Sequence, residues 1–244
     1  LVENAIELLD QPGEWYFNEE TKEIFYYPLP GEEINISKVE IPQLQLLVSI
    51  KGKGIKQEVH NLIFDGITFS TSSWMRTSNL GTANQQGEEI LDGEDAGFGS
   101  GPQYPAIAAM PSSIQIDNAY SIDLTNNIFQ HMGAAGLGLE TNVKDVDIIG
   151  NIFNDISDSA ITMGISALLD HIEKSPDRLV RDVRINNNFI NNSGVEYWGS
   201  TSIFGDYVQR IEVSHNQIQN APNSGISFFG GFGKSNRLLP QLGE

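Results

Sequence analysis

The sequence predicts an all-β protein, a right-handed parallel β-helix preceded by a β-hairpin. Three observations predict this fold. Short runs of Ile and Val recur at intervals of about 25 residues, which suits one coil of a solenoid. Asn, Gly, Asp and Ser separate these runs, as expected for tight corners between strands. Aromatic runs near the start of the chain flank a polar turn, which is a hairpin signal.

The hairpin lies in a lead-in segment that we place at residues 1–33. Residues 3–9 suit a short helix, and the β-rich runs at 14–17 and 23–27 flank the polar residues 18–22. Aromatic residues on both runs favour cross-strand pairing. Two prolines and a glycine then interrupt the chain, so we predict that the β-helix occupies residues 34–244.

Five segments of this second part share one pattern, an alternating apolar run, two turn-type residues and a further apolar residue. Asn tolerates the left-handed backbone and can form side-chain ladders at corners, which explains its recurrence without chemistry. Longer intervals predict inserted loops at about residues 74–112 and 165–180, the first with no strand pattern. The aligned turn residues are Gly66, Asn127, Asn151, Asn188 and Asn216.

Charge and composition exclude several functions. The chain carries 32 acidic and 14 basic residues, a net charge of −18, which argues against nucleic-acid or anionic-membrane partners. No long apolar run predicts membrane insertion. The absence of cysteine excludes thiol catalysis and disulfide scaffolds. Neither end has a terminal cap, so we expect an interior piece of a longer periplasmic or extracellular protein whose signal peptide lies elsewhere.

One strand of each coil predicts a groove on the surface of the β-helix. Strand side chains alternate, so aligned Leu137, Ile161, Ile203 and Ile226 are expected to point inward. The outward positions then combine small residues, aromatic residues and carboxylates, a mixture that suits stacking of a sugar ring. These positions are Gly138, Thr162, Phe204 and Ser227 in one row, and Glu140, Gly164, Asp206 and Phe229 in the next.

Paired carboxylates in this groove indicate glycosidic hydrolysis. Glu140 and Asp206 fall two coils apart, about 9.6 Å between backbones, close to the carboxyl separation of inverting enzymes. Asp158 and Glu196 are expected at corners above the strand. We predict that one of these two is the acid, and that one of Glu140 and Asp206 is the base or nucleophile.

Aromatic residues near the predicted groove are expected to bind the sugar. Trp198 and Tyr197 share a turn with Glu196, Phe204 and Phe229 lie on the strand, and His131 is a candidate for bonding a hydroxyl. No cofactor or metal is expected, apart from a weak Ca²⁺ signal in the acidic run 88–95, which lacks a recognised spacing.

The residues also resemble a known family. The segment 3–17, followed by Phe25 to Pro28, resembles the lead-in of bacterial right-handed parallel β-helix glycan-degrading proteins. Residues 61–69, 194–200 and 214–227 resemble their coils. The nearest is glycoside hydrolase family 141, which includes α-L-fucosidase and xylanase activities. The resemblance implies a glycosidase acting on a plant or other complex polysaccharide or its oligosaccharides.

Two departures from that family limit what the resemblance implies. Its Trp-rich stretch after the Ser-Gly-Ile-Ser motif is replaced here by residues 228–233, which contain Phe and Gly. Its further coils, with an Asp-Gly-Gly-Gly-Ile-Tyr-like motif, are missing from this sequence. A catalytic acid of the family could therefore lie outside it, and no catalytic residue is carried over.

Two alternatives stay open. A polysaccharide lyase needs Lys, Arg or Ca²⁺ near the groove to offset a uronate charge, and only Arg210, Lys234 and Arg237 are expected there. A non-catalytic glycan-binding or adhesion module would leave every acid solvated. Carboxylates close together beside an exposed Trp would favour hydrolysis. The net charge favours neutral sugars over polyanionic glycans.

Overall fold

The computed structural model describes residues 5–74, 88–91, 106–164 and 176–229, with the backbone alone at 88–91, 106–109, 176 and 229. The chain forms two compact units, residues 1–41 and 42–244. The helices of the described ranges are short 3-10 turns, and none of them is long and apolar enough to cross a membrane. They are Ile6–Leu8, Ile34–Ile36 and Pro176–Arg178.

The first unit contains the predicted hairpin. Strands β1 (Trp15–Asn18) and β2 (Glu23–Tyr26) pair antiparallel. The Asn18 Oδ1 atom closes the turn by accepting the backbone N–H groups of Glu20 and Thr21 at 2.9 and 3.1 Å. The helix expected at residues 3–9 is a single 3-10 turn. The hairpin prediction is confirmed, with its turn set by Asn18, as expected of an Asx turn.

The second unit is a stack of coils, each built from up to three short strands. Each strand pairs with the equivalent strand of the next coil. Coil 1 has β3 (Val48–Lys51), β4 (Val59–Asp65) and β5 (Thr68–Ser72), then follow inserted β6 (Glu88–Leu91) and β7 (Ala106–Ala109); coil 2 has β8 (Ser112–Asp117), β9 (Ala119–Thr125) and β10 (Ile128–Met132); coil 3 has β11 (Ala135–Leu139), β12 (Val143–Ile149) and β13 (Ile152–Ile156); coil 4 has β14 (Ile161–Met163), β15 (Val180–Asn186) and β16 (Phe189–Ser193); coil 5 has β17 (Thr201–Asp206), β18 (Val208–Ser214) and β19 (Gln217–Gln219); coil 6 has β20 (Ser224–Phe229).

These strands form three parallel sheets, as in a β-helix, which confirms the predicted fold. Sheet 1 has the order β20-β17-β14-β11-β8-β3, sheet 2 the order β18-β15-β12-β9-β4, and sheet 3 the order β19-β16-β13-β10-β5. The pairs within these sheets are parallel. One expectation was wrong, because the first insertion contains the antiparallel pair β6 and β7. The second insertion lies largely outside the described residues.

An asparagine ladder fixes the corner between sheets 2 and 3. The Oδ1 atoms of Asn151, Asn188 and Asn216 each accept the backbone N–H and the side-chain amide of the asparagine in the preceding coil, at 2.9 to 3.1 Å. Each side-chain amide also donates to a backbone carbonyl of the preceding coil. The predicted ladder is therefore present, and it satisfies buried polar groups. Its members are Asn127, Asn151, Asn188 and Asn216.

The alignment of Gly66 with this ladder was wrong by one residue. Thr68 pairs with Ile128, so Ile67 is the residue level with Asn127, and the Ile67 N–H donates to the Asn127 Oδ1 at 2.9 Å. In each coil, the residue just before the ladder position has the left-handed backbone conformation. Gly66 is that residue in coil 1, with φ of 70°, and its equivalents are Asn126, Gly150, Asn187 and His215.

Inward side chains fill the coils with an apolar core. Phe129 stacks on Phe153 with ring centroids 4.4 Å apart and planes 4° apart, and Phe69 continues this stack from coil 1 at 5.2 Å. Ile190 follows in register and is fully buried. Function must therefore lie on the outward faces and in the loops.

Candidate functional site

The outward face of sheet 1 carries the predicted groove positions in the predicted register. Leu137 pairs with Ile161, Ile161 with Ile203, and Ile203 with Ile226. The first three of these side chains are fully buried. A shift of one residue would have turned the carboxylates inward, so this register decides which acids face outward.

Three carboxylates follow one another at the ends of the sheet 1 strands. Lys51 pairs with Asp117, and Asp206 pairs with Phe229. Between them, Ile116 pairs with Leu139 and Leu139 with Met163, so the residues that follow are in register too. We call Asp117, Glu140 and Asp206 the carboxylate row. Gly164 occupies the same row between the last two.

Glu140 has the environment of a proton donor. Its side chain is half-buried, and burial raises the pKa of its carboxyl group, with the negative charge of Asp117 adding to the effect. Gln115 opposes the rise by donating its side-chain amide to the Glu140 Oε1, and Lys51 opposes it by its charge. A glutamic acid with a raised pKa keeps its proton closer to neutral pH, as general acids require.

Two neighbours contact the carboxyl group of Asp117. The Lys51 Nζ lies 3.4 Å from its Oδ2, and the Asn118 side-chain amide donates to its Oδ1 at 2.8 Å. Its side chain is buried, so both contacts form with little competition from water. Asp117 is therefore fixed beside Glu140, where its charge acts on the Glu140 proton.

Gly164 lies between Glu140 and Asp206 in the carboxylate row, packed closely against the next coil. A Cβ atom at this position would lie 1.9 Å from the Asp206 carbonyl oxygen, so only glycine fits so close to the next coil. Strand spacing places the Glu140 and Asp206 backbones about 9.6 Å apart, and those of Asp117 and Glu140 about 4.8 Å apart. The first separation is near the range of inverting glycosidases and the second near that of retaining ones.

Asp158 does not face the groove. Its side chain is 0% exposed, its Oδ1 accepts the Ser200 hydroxyl, and among the described residues its Oδ2 has no hydrogen-bond partner. Burial raises the pKa of this carboxyl group. The backbone of Asp158 accepts the Gly194 N–H at 2.8 Å and so stacks coil on coil. These contacts are those of a residue that shapes the corner.

The turn 194–200 offers one exposed aromatic side chain. Trp198 is 64% exposed, and its indole N–H donates to the Val195 carbonyl oxygen at 3.1 Å, which fixes the ring as a stacking surface. Glu196 is also exposed. Tyr197 was expected to hold a sugar ring, but it is 9% exposed and packs against Met110.

The predicted acids fall at opposite ends of sheet 1, which corrects the predicted pairing. Asp158 lies beside Ser200, just before β17, whereas Asp206 is the last residue of that strand. Six extended residues span about 20 Å, far beyond the separation at which two carboxyls share one glycosidic bond. Asp158 and Glu196 therefore do not pair with Glu140 or Asp206.

Two predicted sugar-binding residues are placed less favourably than expected. Phe204 faces outward in register but is only 4% exposed, because the face around it is covered. His131 lies on β10 in sheet 3, not on the groove, and its Nδ1 lies 2.6 Å from the Asp155 Oδ2. The side chain of Phe229 lies outside the described residues.

Asp117 was missed by sequence reasoning, although a signal for it exists. Residues 114–117 read Ile-Gln-Ile-Asp, the same alternation as Leu137 to Glu140. The long insertion before them hid the start of coil 2. Metal ligation does not explain the row, since no cluster of three or more His, Asp or Glu in the described ranges is arranged to hold an ion. The acidic run 88–95 has no described side chains.

Comparisons with known proteins agree with this architecture. A solved structure titled "Glycoside hydrolase" matches 93% of this chain with a TM-score of 0.74 and 27% identity, and the chain covers 41% of that protein. A family model described as "GH141 insertion domain" matches residues 1–29. No curated protein matches. The class is therefore that of β-helical proteins related to glycoside hydrolases, and the resemblance to family 141 is confirmed.

Proposed function

We propose that the protein is a glycoside hydrolase acting on a plant or other complex polysaccharide or its oligosaccharides, with Glu140 as general acid and Asp206 as general base. The observation that carries this proposal is the carboxylate row, in which a half-buried Glu140 with a raised pKa and a second carboxylate, Asp206, lie two coils apart with Gly164 between them. The 27% identical relative titled as a glycoside hydrolase supports it.

In this mechanism Glu140 protonates the glycosidic oxygen while Asp206 removes a proton from the attacking water on the opposite face of the sugar. The negative charge of Asp117 helps to keep the proton on Glu140, whereas the charge of Lys51 opposes this by lowering the Glu140 pKa. Trp198 lies at the far end of the sheet, so it would bind a more distant sugar of the same chain by stacking on its ring. We also propose a periplasmic or extracellular location, because an intact polysaccharide does not cross a cytoplasmic membrane.

The test is a glycan panel assayed with matched variants of the purified protein. Glu140→Gln and Asp206→Asn should each lower kcat by about 100-fold or more, the range for lost acid or base catalysis. Glu212→Gln is the control, because Glu212 is an exposed acid on sheet 2. Glu196→Gln tests the opposite end of sheet 1. Circular dichroism and urea unfolding verify that each variant folds.

Two results would reject the assignment. Full activity of a folded Glu140→Gln variant would remove the proposed acid, and a large loss in Glu196→Gln alone would move the site to the turn 194–200. A lyase is the second candidate, because Lys51 lies in the same row as the acids. It would release a product with an unsaturated uronate, detectable by its ultraviolet absorbance, whereas hydrolysis releases only new reducing ends.

A further inference from the structure

A cavity of about 630 Å³ adjoins the carboxylate row. Asp117 belongs to both, and Thr141, the neighbour of Glu140 in the chain, lines the cavity as well. The volume is within the usual range of small-molecule sites, about 300–1,000 Å³. The cavity therefore offers space for a sugar unit directly beside the proposed acid.

The lining of this cavity is basic, in contrast to the protein as a whole. Lys53, Lys56 and Arg178 line it, in a chain with only 14 basic residues and a net charge of −18. The one carboxylate in the lining, Asp117, already has Lys51 at 3.4 Å. Basic side chains thus outnumber acidic ones in the lining, and such an excess favours an anionic group.

The backbone holds the two lysines at the cavity. The Gly52 N–H donates to the Asp117 carbonyl oxygen at 2.9 Å, and the Lys53 N–H donates to the Gln57 carbonyl oxygen at 2.9 Å. A Cβ atom on Gly52 would lie 2.3 Å from the Asn118 carbonyl oxygen, so glycine allows the loop to lie against coil 2. Lys53 and Lys56 thus extend from an anchored turn.

Arg178 reaches the same place from coil 4. Its carbonyl oxygen accepts the Asn142 N–H at 2.7 Å, which anchors it on coil 3. Arg178 is the last residue of the 3-10 turn Pro176–Arg178, which comes just before β15. The basic residues therefore come from two separate segments of the chain, and they meet beside the carboxylate row.

We propose that this cavity binds an acidic substituent, a carboxylate or a sulfate group, on the sugar next to the cleaved bond. The substrate class would then be an acidic glycan, despite the preference for neutral sugars that the net charge predicts. Calling the bound glycan a substrate rests on the proposed function, but the binding itself does not require turnover. The local lining decides the preference, because charges beyond about 10 Å are screened at ordinary salt.

Calorimetric titration of the purified protein tests the proposal at low salt. The probes are galacturonate, glucuronate and galactose 6-sulfate, each against its neutral parent sugar. We expect at least one acidic probe to bind about fivefold or more tightly than its parent, since one ion pair in water contributes about 1 kcal/mol. Comparing the uronate probes with the sulfate probe shows whether the cavity prefers a carboxylate or a sulfate group.

The matched variants are Lys53→Gln/Lys56→Gln and, as control, Lys22→Gln/Lys38→Gln, which removes the same charge from the first unit. The cavity variant should abolish the preference for the acidic probe, and the control should keep it. Equal binding of acidic and neutral probes, or equal loss in both variants, would overturn the proposal. Failure of Glu140→Gln to lower turnover would instead reject the proposed function and leave the binding result standing.

Discussion

Asn151 is the most informative position for testing how this β-helix is stabilised. Its side chain is 1% exposed and makes four hydrogen bonds. Its Oδ1 accepts the Asn127 backbone N–H at 2.9 Å and the Asn127 side-chain amide at 3.1 Å. Its amide donates to the Leu124 carbonyl oxygen at 2.8 Å and to the Asn188 Oδ1 at 3.0 Å. One residue thus joins three coils.

Replacing Asn151 with Ala removes all four bonds and leaves polar groups buried without partners. The Asn127 N–H and the Leu124 carbonyl are backbone groups that cannot turn toward solvent. Each buried polar group left unpaired costs about 1–3 kcal/mol, so we expect Asn151→Ala to lower the free energy of unfolding by about 4 kcal/mol. This loss is a large part of the free energy of unfolding of a typical whole domain, about 5–15 kcal/mol.

Urea unfolding followed by circular dichroism measures this loss, with Asn154→Ala as the matched control. Asn154 lies on β13, the strand that follows Asn151, is half-buried and accepts one side-chain hydrogen bond from Asn191 at 2.7 Å. Its removal should cost about 1 kcal/mol or less. If Asn151→Ala loses no more stability than Asn154→Ala, the ladder is not a buried hydrogen-bonded support and the reasoning is refuted.

Three other predictions concern charge and exposure. Burial raises the pKa of Asp158, so the folded protein binds this proton more tightly than the unfolded chain does, and wild-type stability falls as the pH rises above the ordinary pKa of 3.8. The variant Asp158→Asn should flatten that fall, as measured by urea unfolding across pH. An unchanged slope would contradict the prediction. The Gln115 bond lowers the pKa of Glu140, so Gln115→Leu should move the alkaline limb of the activity profile to higher pH, and a shift to lower pH would reverse the assignment. Trp198→Ala should raise KM for oligosaccharides with kcat unchanged and alter stability by less than about 0.5 kcal/mol; a loss of stability would mean that Trp198 is structural.

Local sequence was enough to predict the coils because the repeating signal is itself local. Each ladder asparagine stands between alternating apolar runs, and the same side chain both turns the corner and bonds the next coil. The one-residue error at Gly66 arose because glycine and asparagine are equally good turn residues. Only the hydrogen bond from Ile67 to Asn127 distinguishes the ladder position from the left-handed position before it.

Burial of outward side chains could not be read from the repeats. Alternation correctly places Phe204 on the outer face of sheet 1, but it cannot say what covers that face. Tyr197 sits in a turn that looks exposed in the sequence, and it packs against Met110, which is far away along the chain. Asp158 likewise resembles a turn former, whereas its depth depends on Ser200 of the next coil. These contacts are tertiary, so no local pattern encodes them.

The stacking of coils restricts which carboxylates can work together. Residues in one row can be separated only by multiples of the strand spacing, about 4.8 or 9.6 Å for the nearest acids here. Asp117 is the closer partner of Glu140, but Lys51 and Asn118 occupy its oxygens, and its charge is already used to keep the Glu140 proton. Asp206 is the farther partner, and Gly164, which has no side chain, lies between them. If Glu140 and Asp206 are the proposed acid and base, we predict inversion, because their backbones lie at the longer of the two separations, about 9.6 Å.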